Sequence, residues 1–237
     1  MYEERPSPLV PGAVLWRSDG PGGTVLPDGC MDLLWAGGRL LVAGPDTGPH
    51  PAGEVPGAAS GGPFWGLRLA PGTAPALLGV PAHELRDRRV ELAGLWPGAE
   101  VRRLAERTGA YEDPRDGLEE LARARAADSG PPDPVAAAVR AGLRGGRSVA
   151  AIAGDLGLGE RQLHRRSLDA FGYGPRTLGR VLRLQRALAL IRRGTPPAEV
   201  AYAVGYADQA HLGREVRALT GRTPGAHAPP PGPATGA

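Results

Sequence analysis

One pattern occurs twice in the last hundred residues, about fifty positions apart. Ser148-Val149-Ala150-Ala151-Ile152-Ala153 leads to Leu163-His164-Arg165, and Pro197-Ala198-Glu199-Val200-Ala201 leads to His211-Leu212-Gly213-Arg214. Each copy reads as a helix, a tight turn and a second helix. In the first copy Val149, Ile152, Ala153 and Leu156 keep the i, i+3, i+4, i+7 spacing of one buried face. Ser148 is placed to cap that helix, and Gly157 supplies the left-handed stop. On the helix that follows, Leu163 points inward, which turns Arg161, His164 and Arg165 outward. In the second copy Thr195 with Pro196 or Pro197 opens a helix carrying Val200, Ala201 and Val204, and Gly205 ends it. Asp208 then caps a helix whose inward residue is Leu212, leaving Gln209, His211, Gly213 and Arg214 accessible. Between the copies, Arg176 to Arg193 is one long helical pattern with Leu178, Val181, Leu182, Leu188 and Ile191 on the core side, long enough for a rigid spacer. A second helix presented in this way can enter a DNA major groove, and two of them imply two groove segments read by one chain.

Charge supports this reading once the chain is divided. Residues 1–128 hold 13 Arg against 18 acids, a net of −5, whereas residues 129–237 hold 15 Arg against 7 acids, a net of +8. A basic half joined to an acidic half is the distribution expected when one part meets polyphosphate and the other does not. The sequence has no Lys and no Asn and is rich in Ala, Gly, Arg and Pro, as in a GC-rich coding bias. That bias explains Arg in place of Lys, but not the loss of acids from one half.

The break between the halves falls at Ser129-Gly130-Pro131-Pro132-Asp133-Pro134, where Gly and the prolines stop a helix and Asp133 before Pro134 starts the next. The expected organisation is therefore residues 1–128, a linker over 129–133, a helical domain over 134–227, and a disordered tail over 228–237, which lacks apolar periodicity. Upstream of the linker the pattern is strands and turns. Met31–Trp35, the turn Ala36–Arg39 and Leu40–Ala43 read as a hairpin, and Phe64–Leu69 alternates with Trp65, Leu67 and Leu69 on one side. From Thr73 onward the pattern is helical, with Leu118, Leu121 and Ala122 on one stripe and Asp113, Asp116, Glu119 and Glu120 opposite it or near the helix start. The fold class is thus an α+β first domain, a small β-barrel or sandwich plus helices, followed by an all-α double helix-turn-helix domain. Those first helices either cover the sheet or pair with a second subunit.

No apolar run approaches the roughly 18 residues of a membrane span, and Met1–Pro6 lacks the order of a signal peptide, so a cytoplasmic protein is expected. The single cysteine, Cys30, excludes an internal disulfide and a Cys-rich zinc cluster. Asp28 and Asp32 flank it with nothing basic adjoining, which opposes a reactive thiolate. No set of His and carboxylates has metal spacing, and no cofactor is implied. All four tryptophans lie in the first half; Trp16, Trp35 and Trp65 are candidates to line an effector pocket, against the alternative that they are core.

The second half resembles the AraC/XylS transcription regulators. Their DNA-binding domain joins two helix-turn-helix units by a long helix, and its second unit ends in a Gly-Tyr/Phe-x-Asp-x-x-x-Leu/Phe-x-Arg run followed by Gly-x-x-Pro. Here this is Gly205-Tyr206-Ala207-Asp208-Gln209-Ala210-His211-Leu212-Gly213-Arg214, then Gly221-Arg222-Thr223-Pro224. The resemblance covers roughly residues 134–227, and Gly172-Tyr173-Gly174-Pro175 agrees with the close of the first unit. It implies base reading by Arg161, His164 and Arg165 in the first recognition helix and by Gln209 and Arg214 in the second, with Gly213 in a slot that has no side chain. Arg166, Arg176, Arg180 and Arg183, with His211, are the phosphate-backbone candidates. At Ser167 the family usually has a buried Phe, so the first unit departs from the pattern, and Leu168 or Phe171 is the nearest replacement. The first half resembles a poorly characterised sensory domain that precedes this module in some actinobacterial-type regulators, through Leu26–Trp35 and Pro71-Gly72-Thr73-Ala74.

The function so implied is a sequence-specific, non-enzymatic transcription regulator, an activator in the nucleoid. A double-stranded operator is its partner, and RNA polymerase, a small-molecule effector and a second copy of the chain are further candidates. The competing class is a DNA-tethered enzyme or repair protein with catalysis in the first half. Alkyl transfer of that kind needs several cysteines, and there is neither a Gly-x-Ser-x-Gly nor a Gly-rich phosphate loop with Lys.

Overall fold

The computed structural model describes residues 1–20, 23–53 and 62–229. The expected tail therefore lies mostly outside the described residues. The first half is built on a six-stranded antiparallel sheet of β1 (Tyr2–Pro6), β2 (Val14–Asp19), β7 (Pro63–Leu69), β4 (Met31–Ala36), β5 (Arg39–Ala43) and β8 (Arg89–Glu91), in that spatial order. β3 (Thr24–Val25) and β6 (His50–Pro51) form a separate two-stranded ribbon. The β4–β5 hairpin turns on Gly37 and Gly38 alone, with φ of 55° and 79°. Positive φ at both central positions is what a two-residue turn matching the strand twist demands, and glycine meets it without steric cost.

Strand parity sorts the side chains into two layers. Leu15, Leu33, Trp35, Val42, Leu67 and Leu69 face α1 (Ala74–Leu78), α2 (Gly98–Gly109) and α3 (Pro114–Ser129), and with Leu78, Val101, Leu118 and Ala122 they form one core. The helices thus cover the sheet. Leu34, Ala36, Leu41, Ala43 and Phe64 pack on the opposite face with Trp16. Trp16 can lie flat there because its cross-strand partner is Gly66; a Cβ on that glycine would fall 2.2 Å from the indole Cε2. Glu119, expected on the polar side of α3, is instead only 4% exposed. Its carboxylate accepts hydrogen bonds from the Ser7 hydroxyl and, at 3.0 Å, from the Leu9 amide, so it ties the N-terminal arm to the helix. A buried carboxylate persists where such donors replace its hydration.

The second half contains α4 (Pro134–Arg144), α5 (Val149–Asp155), α6 (Glu160–Phe171), α7 (Pro175–Arg192), α8 (Pro197–Val204) and α9 (Gln209–Thr220). Its caps are the ones the residue types favour: the Asp133 side chain accepts from Val135 N, Ser148 from Ala151 N and Asp208 from His211 N, at 2.9, 3.1 and 2.6 Å. Helix α7 is about 27 Å long at 1.5 Å per residue. Its first half, through Leu178, Val181 and Leu182, packs in one core with Ile152, Ala153, Leu163 and Phe171. The second half, through Leu184, Ala187, Leu188 and Ile191, packs in another with Val200, Val204, Leu212 and Val216. One rigid helix therefore fixes both helix-turn-helix units.

The departure at Ser167 resolves within the first of these cores. Ser167 is 1% exposed and its hydroxyl has no hydrogen-bond partner among the described residues, while Phe171, one turn later, is fully buried and supplies the ring. A desolvated hydroxyl with no partner costs roughly 1–3 kcal/mol. Ser167→Ala is accordingly expected to raise the unfolding free energy by about 0.5–1 kcal/mol, with the denaturant midpoint as the readout; a loss of stability would show that the hydroxyl is satisfied in solution.

The two halves also touch. Arg140 donates to the Pro71 carbonyl at 3.0 Å, Gln185 Nε2 to the Pro27 carbonyl at 2.6 Å and Arg86 to the Gly172 carbonyl at 3.3 Å. Phe171 lies against Gly72, where a Cβ would fall 2.7 Å from the ring.

Candidate nucleic-acid interface

Side chains expected to read bases must leave their helix without being consumed by a carboxylate of the same molecule. Arg161 and Arg165 on α6, and Gln209 and Arg214 on α9, are exposed, and the three arginines have no ion-pair partner among the described residues. Gly159 opens α6 in a box with Gln162, whose side chain accepts from the Gly159 amide at 3.0 Å, so the segment bearing Arg161 and Arg165 begins at a defined end. Asp208 does the same for α9. His164 is exposed, yet its ring rests on the turn before α7: a Cβ on Gly174 would fall 2.5 Å from the imidazole Cε1.

The backbone candidates divide. Arg176 is exposed at the start of α7 without an ion-pair partner among the described residues. Arg166 lies 3.5 Å from Asp133 in an exposed pair that water and salt weaken. Arg180 is held bidentately by Glu215 at 3.0 and 3.1 Å, clipping α7 to α9, and this contact keeps the Glu215 carboxyl below its ordinary pKa. Arg183 stacks over the Tyr206 ring at 4.6 Å. His211 is half-buried; its ring meets Tyr206 edge-on at 5.2 Å and its Nδ1 lies 3.4 Å from the Ala207 amide. Arg180, Arg183 and His211 thus brace the second unit. Arg217, one turn beyond Arg214 and also exposed without an ion-pair partner among the described residues, was not singled out by the sequence pattern, although its i+3 spacing from Arg214 was the available signal.

In the first half a cavity of about 440 Å³ opens over the sheet face opposite the helices. Trp16 lines it. Trp35 and Trp65, directly paired across β4 and β7, are on the other face and do not. Trp35 and Trp65 instead border a separate cavity of about 310 Å³ beside the β4–β5 hairpin, so the three tryptophans divide between two cavities. Cys30 also borders the larger cavity, and burial with the neighbouring Asp28 and Asp32 pushes its thiol pKa upward, so it is held as the neutral thiol. No group of three or more potential metal ligands occurs among the described residues.

Residues 152–228 match the family model of a helix-turn-helix domain. These residues thus form a helix-turn-helix domain of the AraC type. With this domain the chain is a DNA-binding transcription regulator. Residues 14–91 match a domain of unknown function, DUF6597. No curated protein matches the sequence. Among solved structures the chain is similar to ToxT of Vibrio cholerae. An apo ToxT variant from strain SCE256 is 11% identical with a TM-score of 0.48, over 91% of this chain and 96% of that one. ToxT from strain O395 is 10% identical with a TM-score of 0.46, over 95% and 96%. Wild-type ToxT bound to an unsaturated fatty acid is 12% identical with a TM-score of 0.45, over 90% and 92%. No helix among the described residues is long and apolar enough to cross a membrane.

Proposed function

We propose that this regulator reads two adjacent major-groove segments with α6 and α9, and that residues 1–128 sense an effector. The observation that carries the first part is α7: both helix-turn-helix cores are built on one continuous helix, so the two recognition helices are held as a unit. On that reading Arg161 and Arg165 enter one segment, Gln209 and Arg214 the next, and the division of labour falls at 129–133. Arg donates two parallel hydrogen bonds to guanine O6 and N7, and Gln pairs with the N6 and N7 edge of adenine. His164, leaning on Gly174, contributes less than the arginines, and Arg176 with Arg166 meets phosphate.

For the sensing role the support is the cavity over the sheet, bordered by Gln185 and Arg192 of α7. An alkyl-transfer reading of the same half would need a reactive thiolate. Cys30, its one thiol, is held neutral by burial and two carboxylates, which argues against alkyl transfer.

Footprinting on a selected operator tests the two-segment reading. Two protected groove segments about 10–10.5 base pairs apart on one face are expected, and protection of a single segment would overturn it. Gel shifts across a salt series separate affinity from reading. Arg176→Ala is expected to flatten the slope of log K against log salt by about 0.9, the value of one phosphate contact, with sequence preference unchanged.

A further inference from the structure

The cavity over the sheet is lined by three carboxylates, Asp28, Asp32 and Asp46, and three guanidiniums, Arg68, Arg89 and Arg192, and these charges are unevenly placed. Arg89 and Asp46 close one pair, bidentate at 2.6 and 2.8 Å, and drop out of the account. At the floor proper, Arg68 Nε lies 3.5 Å from Asp28 and 3.4 Å from Asp32, so one guanidinium is shared by two carboxylates. Neither contact is a hydrogen bond, and that Nε is buried without a hydrogen-bond partner among the described residues. Asp32 also accepts the Trp16 indole N–H at 2.6 Å, and Asp28 accepts the Cys30 amide at 2.8 Å. These donors are neutral, and Arg192, exposed on α7, makes no ion pair with either carboxylate among the described residues, so the local excess of carboxylate over guanidinium stays in place. On the same sheet face stand the apolar side chains of Trp16, Leu34 and Phe64. We propose that this cavity binds a small organic cation, a protonated amine or amidine on an aromatic or branched apolar body, with the cationic head against Asp28 and Asp32 and the body on Trp16 and Phe64.

This inference rests on the reading of the first domain as a sensor and names what it senses. An anionic ligand would be driven against two carboxylates at low local dielectric, where like charges repel most. A neutral ligand would leave the surplus uncompensated. A cation supplies the charge lacking beside Asp28 and Asp32, and the aromatic lining of Phe64 and of Tyr2, which stacks on Trp16 at 6.2 Å between centroids, adds the attraction of ring quadrupoles. Burial, partly offset by Arg68 and reinforced by Asp32, pushes the Asp28 carboxyl above its ordinary pKa, so a bound cation would favour its ionised form. The cavity volume suits a ligand of amine-metabolite or drug size.

The same floor touches the DNA-binding half. Gln185 of α7 donates to the carbonyl of Pro27, next to Asp28. Tyr173, in the turn between α6 and α7, lies against Gly29, where a Cβ would meet its hydroxyl at 3.3 Å. A cation held at Asp28 therefore bears on the segment that anchors both the first unit and the helix shared by the two units, and ligand binding and operator binding are coupled through it.

Calorimetry and thermal melting of the full chain, without DNA, test the assignment with phenethylamine and tryptamine against phenylacetate, indole-3-acetate and 2-phenylethanol. The two amines are expected to bind and raise Tm at about 10 mM ligand, and the carboxylates and the alcohol are not. Asp28→Asn and Asp32→Asn are each expected to weaken amine binding by about 10-fold or more, with melting of the free proteins reporting whether each variant folds. Binding by the carboxylates in preference to the amines, absence of amine binding to the parent chain, or amine binding indifferent to both variants would each overturn the proposal. Because these readouts use no DNA, their failure is distinct from failure of the operator reading. A gel shift that moves at least 5-fold on adding amine supports the coupling, and one unchanged by a bound amine removes it.

Discussion

Phe171→Ala is expected to lower the unfolding free energy by about 3–5 kcal/mol, the largest stability effect of any single truncation in the first helix-turn-helix core. Phe171 is 1% exposed and packs in one cluster with Ala136, Val139, Leu163 and Leu178. It also supplies the ring that Ser167, one turn earlier, cannot. On its other side the ring rests on Gly72 of the first domain, whose φ of +86° and missing Cβ allow the approach. Neighbours of a cavity left here belong to different domains and relax only partly, so the cost falls in the upper range for an aromatic truncation. Against a typical total of about 5–15 kcal/mol, such a loss removes a large share of stability. Chemical denaturation should show a lower midpoint with the slope unchanged. A cost under about 1 kcal/mol would mean that the ring is not the wedge of this unit.

Features set by neighbours within a turn or two were legible in the sequence. The caps at Asp133, Ser148 and Asp208 and the left-handed stops at Gly157 and Gly205 depend on contacts within a few residues, as does the hairpin closed by Gly37 and Gly38. The apolar stripe of α7 was legible for the same reason, although that it serves two cores was not, since this depends on α5 and α8 arriving from either side.

What escaped was set by partners far along the chain. Glu119 is buried because Ser7 and Leu9, more than a hundred positions away, bring it donors. Arg180 has the composition of a phosphate contact, and only the packing of α9 on α7 brings Glu215 to occupy it. The tryptophans illustrate the limit most directly. Parity within one strand says which residues share a face, but not which face meets the helices, and Trp16 parts from Trp35 and Trp65 on that choice. The cavity floor combines residues 28, 32 and 68 from separate segments, with α7 at the rim. Asp28 and Asp32 around Cys30 were visible in the sequence, whereas the guanidinium they share was not.

Arg214→Ala is expected to cost about 1–3 kcal/mol of discrimination at one base pair, or roughly 5- to 150-fold, while binding to unrelated DNA falls much less. Arg165→Ala is expected to cost less discrimination and relatively more salt-dependent affinity. The difference follows from how each helix is held. Asp208 caps α9, the Arg180–Glu215 clip fastens it to α7, and Tyr206 and His211 pack edge to face at its start, so the Arg214 side chain starts from a backbone with little freedom. Helix α6 starts on the single Gln162–Gly159 hydrogen bond, without an acceptor from the cap residue itself, and carries on its buried face the Ser167 hydroxyl, which has no hydrogen-bond partner among the described residues. A looser platform spends more of its contact energy on ordering, and a guanidinium on it works more as a charge than as a bidentate reader. Selection of preferred sites from random DNA by the parent and both variants decides the matter. In the Arg214→Ala profile one position should lose its preference, and in the Arg165→Ala profile the preferences should persist at reduced affinity. If Arg165→Ala erases a position as completely as Arg214→Ala does, the two units read equally and the unequal division is wrong.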